Sequence, residues 1–350
     1  MNTVVAETVA AEKAATAEDT LASKWRPGEF ALRDAWFPVA QAPTLHKRPL
    51  LRMVHSQPFY IWRDGDRIRA TDYHPIAPRR TDGSEFVSAS GDYPLIERFG
   101  YLWVWYGNPA NADPERMPDI PFLPQHRAQP KYAWGVNFFH CTYELVLENI
   151  LDLTHIDFVH GSFSGSADSE EDSIRFESTS ETVTMIRTVK NRPLSTYQRE
   201  VLGASQTHHD IDAFTHIFIR SGVCFLHSHS SILPGIPLMQ SNTPESSTLT
   251  RANYVFGVQQ TQDKAYARNW PRTAPDIAAQ DESVLNPQNP RYLRQPPRRD
   301  NSTRFDAAGL HYRKRHIALI ERQQNGDFDY LPDIAEGSDL ADILKVKRMS

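Results

Sequence analysis

The first third of the chain carries short apolar runs that are typical of β-strands. Between about residues 36 and 107, aromatic and β-branched residues recur in such runs, most clearly at 59–62 and 101–106. The polar residues 63–66 directly follow the first of these runs and predict a tight hairpin turn. Residues 110–130 contain several prolines and few periodic apolar positions, so we expect a linker there.

A helical period replaces this pattern further along the chain. Apolar residues recur about every 3.6 positions between 143 and 153 and predict one face of a helix. Alternating runs after it predict strands at residues 173–177, 182–186 and 213–219. Residues 271–300 are rich in Pro, Asn and Gln and have the composition of a loop, and residues 312–323 predict a basic amphipathic helix.

These patterns predict an α+β fold in three consecutive parts. We expect a flexible tail at residues 1–25, because its composition is simple and no large apolar residue recurs in it. A small antiparallel β region follows at 26–125. The larger part, residues 126–350, has strands on both sides of one long helix.

Composition excludes several classes of protein. The 350 residues carry a net charge of −5, which argues against nucleic-acid binding. The chain has neither an apolar run of about eighteen residues nor the features of a signal peptide, so we expect a cytoplasmic protein without a membrane span. Cys141 and Cys224 are its only cysteines and form no disulfide framework.

The spacing of Asp152, His155 and His160 is the most informative pattern for chemistry. Two imidazoles and one carboxylate on one face of an octahedron hold Fe(II) and leave three positions open for oxygen, substrate or water. Histidines five residues apart differ by about 140° on a straight helix, so the helix must end or bulge between them, and Gly161 is a plausible stop. Asp152 lies three residues before His155, and its carboxylate is placed to accept a hydrogen bond from that ring.

Two alternatives accompany this interpretation. The histidines are also compatible with ordinary core or surface positions, because this spacing arises by chance in on the order of a few per cent of such chains. For the carboxylate ligand, three downstream residues compete on local sequence alone: Asp276, Asp281 and Glu282.

The run Leu147–His155 with Val159 and His160 resembles the iron-site helix of Rieske non-haem iron oxygenase α subunits, in their monooxygenase and demethylase branch. The resemblance implies that His155, His160 and Asp281 bind iron, and that Asp152 and Asn149 take part in catalysis, with Asp152 relaying electrons. It also implies a Rieske-like antiparallel β domain at residues 26–125, followed by a helix-grip catalytic domain, in which an antiparallel sheet wraps around helices.

One departure from this family changes the expected chemistry. A Rieske cluster needs two cysteines and two histidines, but no cysteine lies between Ile68 and Gly100, and His74 is the only histidine there. We therefore expect Fe(II) but no 2Fe–2S cluster in this chain, which is similar in this respect to the cluster-less catalytic subunit of purine N-demethylases.

The resemblance implies an oxygenase that hydroxylates or demethylates a small, aromatic or heterocyclic substrate with O2. The partners would be a separate Rieske-containing reductase or ferredoxin, and the assembly a trimer or a hetero-hexamer. Two other functions remain open at this stage. The chain would be a catalytically silent scaffolding subunit in one of them, and in the other an iron oxygenase that takes electrons from substrate or a cosubstrate.

Overall fold

The computed structural model describes residues 21, 23–75, 92–165, 171–294, 300, 302–331, 333–334 and 336–350. Two three-stranded antiparallel sheets occupy the N-terminal part, in the orders β1-β6-β5 and β2-β3-β4. Their strands are β1 (Ala35–Gln41), β2 (Leu50–Val54), β3 (Gln57–Asp64), β4 (Arg67–Thr71), β5 (Leu95–Arg98) and β6 (Tyr101–Tyr106). The predicted hairpin is present, since β3 and β4 pair from Asp64 and Arg67 onward.

A seven-stranded antiparallel sheet forms the centre of the larger part, with strand order β7-β13-β12-β11-β10-β9-β8. Its strands are β7 (Trp134–Phe139), β8 (Glu171–Ser178), β9 (Thr182–Pro193), β10 (His208–Phe218), β11 (Val223–Ser230), β12 (Leu238–Ser246) and β13 (Leu249–Phe256). Successive strands from β8 to β13 are neighbours, and β7 closes the row beside β13. Antiparallel sheets with helices confirm the predicted α+β class.

The described helices are α1 (Tyr143–Leu151), α2 (Ile156–Val159), α3 (Gly161–Ser164), α4 (Thr196–Glu200), α5 (Lys264–Asn269), α6 (Ala274–Tyr292), α7 (Ala307–Gln324) and α8 (Leu340–Ile343). The helices predicted at 143–153 and 312–323 are present as α1 and α7. Residues 110–130 contain short 3-10 turns and no strand, but Ile120, Phe122 and Leu123 are buried in the core that the β1-β6-β5 sheet shares with the large sheet, so this segment is packed rather than a free linker.

The prediction of a loop at residues 271–300 was wrong, because α6 occupies most of that segment. Pro287 and Pro290 lie inside this helix, where each proline costs about 3 kcal/mol in an isolated helix. Packing offsets that cost, since Leu285 and Tyr292 are buried against α1 and α7, and the side chain of Asn289 accepts a hydrogen bond from the Thr142 backbone N–H. Tertiary contacts thus override a helix propensity that is locally poor.

The two faces of the large sheet are covered by different parts of the chain. Helices α1, α6 and α7 cover one face, in a core that includes Leu147, Ala278 and Tyr312. The β1-β6-β5 sheet covers the other face, where Trp103 and Trp105 share a buried cluster with residues of the large sheet such as Phe214, Phe218 and Phe225. Helix α6, which carries Asp281, therefore lies on the helix-covered face of the large sheet.

Packed structure begins earlier than the predicted tail of residues 1–25 allows. Residues 1–20 and 22 lie outside the described part of the chain. Trp25, however, is buried, and its ring contacts those of Tyr292, Tyr312 and His316. These contacts could not be predicted from the sequence, because Trp25 is a single large aromatic residue outside any periodic apolar pattern. None of the helices in the described part combines the length and apolar character that crossing a membrane requires.

Candidate metal centre

Helix α1 ends before the two histidines rather than between them. Its last residue is Leu151 and Asp152 caps it, after which His155 and His160 lie at the two ends of the single turn α2. Gly161 begins the next short helix, α3, instead of ending α1. The spacing of the histidines predicted that the helix is interrupted so that both imidazoles point to one side. The interruption is present, but it follows Leu151 and so lies earlier in the chain than predicted.

Three ligand-type atoms converge where these turns meet α6. The Nε2 atoms of His155 and His160 lie 3.3 Å apart, and Oδ1 of Asp281 lies 3.4 Å from the first and 3.1 Å from the second. Ligand atoms about 2.1 Å from one metal ion are about 3.0 to 3.4 Å from one another in octahedral or tetrahedral arrangements. The three atoms therefore fit a single divalent metal ion.

Among the described residues, Asp281 is the carboxylate that joins this group, and neither Asp276 nor Glu282 contributes an atom to it. Asn149, on α1, donates from its side-chain amide to Oδ1 of Asp281 over 3.1 Å. This contact ties α1 to α6 and orients the carboxylate. The local sequence left these three acidic residues equivalent, and the geometry distinguishes them.

The hydrogen-bond partners of the two Nδ1 atoms determine whether each Nε2 atom carries a proton or a lone pair. Nδ1 of His160 lies 2.8 Å from Oε1 of Gln280, and Nδ1 of His155 faces the backbone carbonyl of Asp152. An oxygen acceptor at Nδ1 requires a proton there, so a neutral ring carries its lone pair on Nε2. Two such lone pairs and one carboxylate oxygen then face each other, an arrangement that a cation between them stabilises.

The pKa shifts of Asp281 and His155 reflect the same attraction for positive charge. Burial alone would raise the pKa of Asp281, but hydrogen bonds from His155 and His160 outweigh it and lower the pKa to about 2. Burial likewise opposes protonation of His155, but the carboxylate of Asp281 and the Asp152 carbonyl raise its pKa above the ordinary value. The three converging side chains thus stabilise a positive charge, which a set of metal ligands must also do.

The hydrogen bond predicted from the Asp152 carboxylate to the His155 ring is absent. That carboxylate instead accepts from the backbone N–H of Thr154 at 2.9 Å and from the Thr154 hydroxyl, while the backbone carbonyl of Asp152 contacts the ring. The prediction assumed that the helix continues to His155. Because α1 ends at Leu151, the Asp152 side chain turns to cap the following turn and its carbonyl takes the place next to the ring.

Sequence reasoning missed a buried ionic cluster that holds the turn between the histidines. Asp157 accepts from both Arg187 and Arg192, with nitrogen–oxygen distances as short as 2.6 Å, and all three side chains are at most 4% exposed. Arg187 also donates to the Leu153 carbonyl at 2.9 Å and pairs with Asp172. We call Asp157, Arg187 and Arg192 the turn clamp. Its arginines come from β9, thirty residues or more away, so no local pattern revealed it.

The metal group opens on a cavity of about 270 Å³ between the large sheet and α6. Most of its wall is apolar, including Leu153, Ile211, Leu226, Leu238 and Phe256. Polar side chains interrupt that wall at a few positions, among them Asn137, Arg192, His209, His227, Gln240 and Tyr254. The cavity suits a small, largely apolar molecule that lies against the three ligand atoms.

A second cleft, of about 440 Å³, lies along another side of α1 and reaches Asp152. Charged side chains line much of it, including Glu148, Arg291, Asp300 and Arg313. It shares no lining residue with the metal cavity among those described. Asp152 therefore lines this cleft, and its backbone carbonyl contacts the ring of His155, which lines the metal cavity.

Comparison with known proteins shows which family this chain belongs to. Residues 139–322 match the family described as Vanillate O-demethylase oxygenase C-terminal domain. A vanillate O-demethylase oxygenase subunit from Pseudomonas sp. (strain ATCC 19151) is 37% identical over 81 residues, 23% of each chain. Another, from Pseudomonas sp. (strain HR199 / DSM 7063), is 25% identical over 256 residues, 66% of this chain and 70% of that protein. The matched segments thus span from about a quarter to 70% of these relatives.

Solved structures agree with this assignment at the level of fold. The crystal structure of dicamba monooxygenase bound to 3,6-dichlorosalicylic acid superposes with a TM-score of 0.70 at 16% identity, over 84% of this chain and 98% of that one. The resemblance to Rieske-type oxygenase α subunits of the demethylase branch is confirmed, because the family match covers more than half of the chain. The protein belongs to the vanillate O-demethylase oxygenase C-terminal domain family.

Proposed function

We propose that this chain is the catalytic component of a mononuclear iron oxygenase, which hydroxylates or demethylates a small aromatic or heterocyclic molecule with O2. One observation carries the proposal: two imidazole lone pairs and a carboxylate oxygen converge on the wall of an apolar cavity. His155, His160 and Asp281 would be the iron ligands. Iron bound there would supply the activation of oxygen.

The chain's own residues contribute orientation and exclusion of water. The contacts of Gln280 and the Asp152 carbonyl with the two Nδ1 atoms hold the rings and direct their lone pairs inward. Asn149 orients the Asp281 carboxylate, and the turn clamp fixes the backbone between the histidines. The apolar wall binds the substrate by burial of its surface and keeps bulk water from the ligand atoms.

The electrons would come from a separate Rieske-containing reductase or ferredoxin. The chain has no cysteine between Ile68 and Gly100, where the family's cluster ligands belong. Asp152 supports a route from outside, because it joins the charged cleft to the His155 ring. We propose that the donor docks over this cleft, in a trimer or a hetero-hexamer with a cluster-bearing partner.

Metal content and donor dependence test the proposal together. The protein loaded with Fe(II) under anaerobic conditions should hold about one iron per chain and show no 2Fe–2S absorption bands. Turnover driven by NAD(P)H should require a reductase that carries a Rieske cluster. Equal turnover with a cluster-free reductase would contradict the need for a separate Rieske-containing donor and favour electrons from a cosubstrate. Iron loading without turnover from any donor would favour a silent scaffolding subunit.

Asp152→Asn separates electron transfer from iron binding. The change retains a side-chain oxygen for Thr154 and leaves the backbone carbonyl on His155, so iron content should stay near normal. Multiple-turnover activity should fall by about two orders of magnitude or more, because the charge between donor and site is lost. Asp300→Asn is the matched control in the same cleft, and kcat should change little. Equal losses in both variants would indicate that the cleft matters only for docking.

A further inference from the structure

The hydrogen-bond partners of His209, in the wall of the metal cavity, determine its tautomer. His209 lies near the start of β10, is 4% exposed and lines the cavity. Its Nδ1 lies 2.9 Å from the hydroxyl oxygen of Ser230.

Counting the hydrogen bonds of Ser230 assigns the proton. Its hydroxyl oxygen accepts from the backbone N–H groups of Ile232 and Leu233, each at 3.2 Å. A hydroxyl has two lone pairs and one proton, so both lone pairs are used and the proton is donated to Nδ1 of His209. A neutral imidazole that accepts at Nδ1 carries its own proton on Nε2. His209 is therefore a donor at Nε2.

That donor lacks an acceptor in the described part of the protein, where Nε2 of His209 is buried and has no hydrogen-bond partner. Burial and the positive charge of Arg192 lower the pKa of His209 to about 4, so the ring is neutral at pH 7. Arg192 is itself a donor and is already paired with Asp157. An unpaired buried N–H is costly, which makes a ligand atom the natural acceptor.

The surrounding charges favour a neutral acceptor. The two arginines of the turn clamp are balanced by two carboxylates, Asp157 and Asp172. A carboxylate ligand would lose its hydration and gain only one neutral N–H from His209, whereas a ketone, amide or lactam oxygen is satisfied by one such donor.

We propose that His209 determines specificity by donating from Nε2 to a neutral carbonyl oxygen of the substrate. This inference rests on the proposed function, because it assigns a substrate class to the same cavity. The substrate is then an aromatic or heterocyclic compound that carries a ketone, amide or lactam group as well as the carbon that is oxidised.

The tautomer is tested without ligand or metal. Protein with ¹⁵N-labelled histidine should show one ring, absent from the spectrum of His209→Gln, whose shifts report a proton on Nε2 and an acceptor at Nδ1 at pH 7. A proton on Nδ1 would overturn the proposal.

The substrate class is tested by calorimetry with three probes of similar size: 4′-methoxyacetophenone, 4-methoxybenzoate and 4-ethylanisole. We expect the wild-type protein to bind the ketone about tenfold more tightly than either of the others. His209→Phe should lose this preference and keep its affinity for 4-ethylanisole. His209→Gln retains a donor at similar reach and should restore part of the preference. His208→Phe, at the exposed neighbouring position, should behave as the wild type.

Each remaining outcome decides against the proposal. Tighter binding of 4-methoxybenzoate by the wild type would replace the neutral carbonyl by an anionic group. A ketone preference that survives in His209→Phe would remove His209 from specificity. If His209→Phe does not fold, the same comparison is made with His209→Leu against His208→Leu, and equal probe preferences would overturn the role. Failure of the wild type to bind any probe would overturn this substrate class, while iron loading separately decides the proposed function.

Discussion

The N-terminal sheets and the large sheet have retained different parts of what the family resemblance implies. The N-terminal part keeps its strands and aromatic packing, but its sequence has no cysteine between Ile68 and Gly100. The larger part keeps the three residues whose ligand atoms converge. The difference indicates that the β1-β6-β5 sheet contributes to this protein by packing, because the buried tryptophans of β1 and β6 complete a core on the large sheet.

The largest effect should come from the convergent group itself. Asp281→Ala removes the carboxylate from the three described residues whose ligand-type atoms converge, and it should abolish most iron binding, since two imidazoles alone hold the ion weakly. Glu282→Ala, at the neighbouring position, is the control and should keep its iron. Metal analysis after anaerobic loading measures both. Normal iron in Asp281→Ala together with loss in Asp276→Ala would show that the proposed third ligand is wrong.

The packing role of the N-terminal part predicts a large effect on stability instead. Trp105→Ala should lower the free energy of unfolding by about 3–5 kcal/mol, because the ring is fully buried in the shared core. Trp62→Ala is the matched control, because Trp62 is half-buried on the β2-β3-β4 sheet. It should lower the free energy of unfolding by less than Trp105→Ala does. Chemical denaturation followed by iron analysis of the folded fraction tests this. A loss of iron in folded Trp105→Ala would contradict a purely structural role for this part.

The turn clamp allows positioning to be separated from stability. Asp157→Asn breaks a buried ion cluster and should cost about 3 kcal/mol or more. Glu181→Gln breaks the equally buried pair with Arg220, neither of which lines the metal cavity, and should cost a similar amount. Only Asp157→Asn should also weaken metal binding, by about tenfold or more. Co(II) titration followed by its visible spectrum compares the two variants, and equal affinities would reduce the clamp to a stabilising element.

The last effect appears only at acid pH and concerns His216, which packs against Phe218 and Phe225 in the core between the two parts. Burial lowers the pKa of His216 to about 3, below its value of about 6.5 in the unfolded chain. Between pH 3 and 6.5 the unfolded state therefore binds one more proton than the folded state. The contribution of His216 to the free energy of unfolding is fully present above pH 6.5 and is lost as the pH falls towards 3. Between pH 3 and 6.5, His216→Gln should reduce the slope of the unfolding free energy against pH by about 1.4 kcal/mol per pH unit. An unchanged slope, matching the exposed control His208→Gln, would show that His216 does not contribute.

The sequence by itself determined the elements whose patterns are local. The strands near 59–62 and 101–106, the hairpin between β3 and β4, helix α1 and the α+β class follow from periodicity and turn residues that act over a few positions. The spacing of His155 and His160 also predicted a break in the chain that turns both rings to one side. That Asp281 supplies the carboxylate followed only from the family resemblance, because Asp276 and Glu282 are locally equivalent.

Only the tertiary structure decided the remaining features, because each depends on residues far apart in the sequence. Helix α6 persists through two prolines since its buried face packs on α1 and α7. The turn clamp joins Asp157 to arginines of β9, and Trp25 finds its aromatic partners near the opposite end of the chain. The hydroxyl of Ser230, on a different strand, determines which ring nitrogen of His209 carries the proton. Such long-range hydrogen bonds and packing contacts leave no periodic signal in the sequence, although they control the geometry on which the proposed chemistry depends.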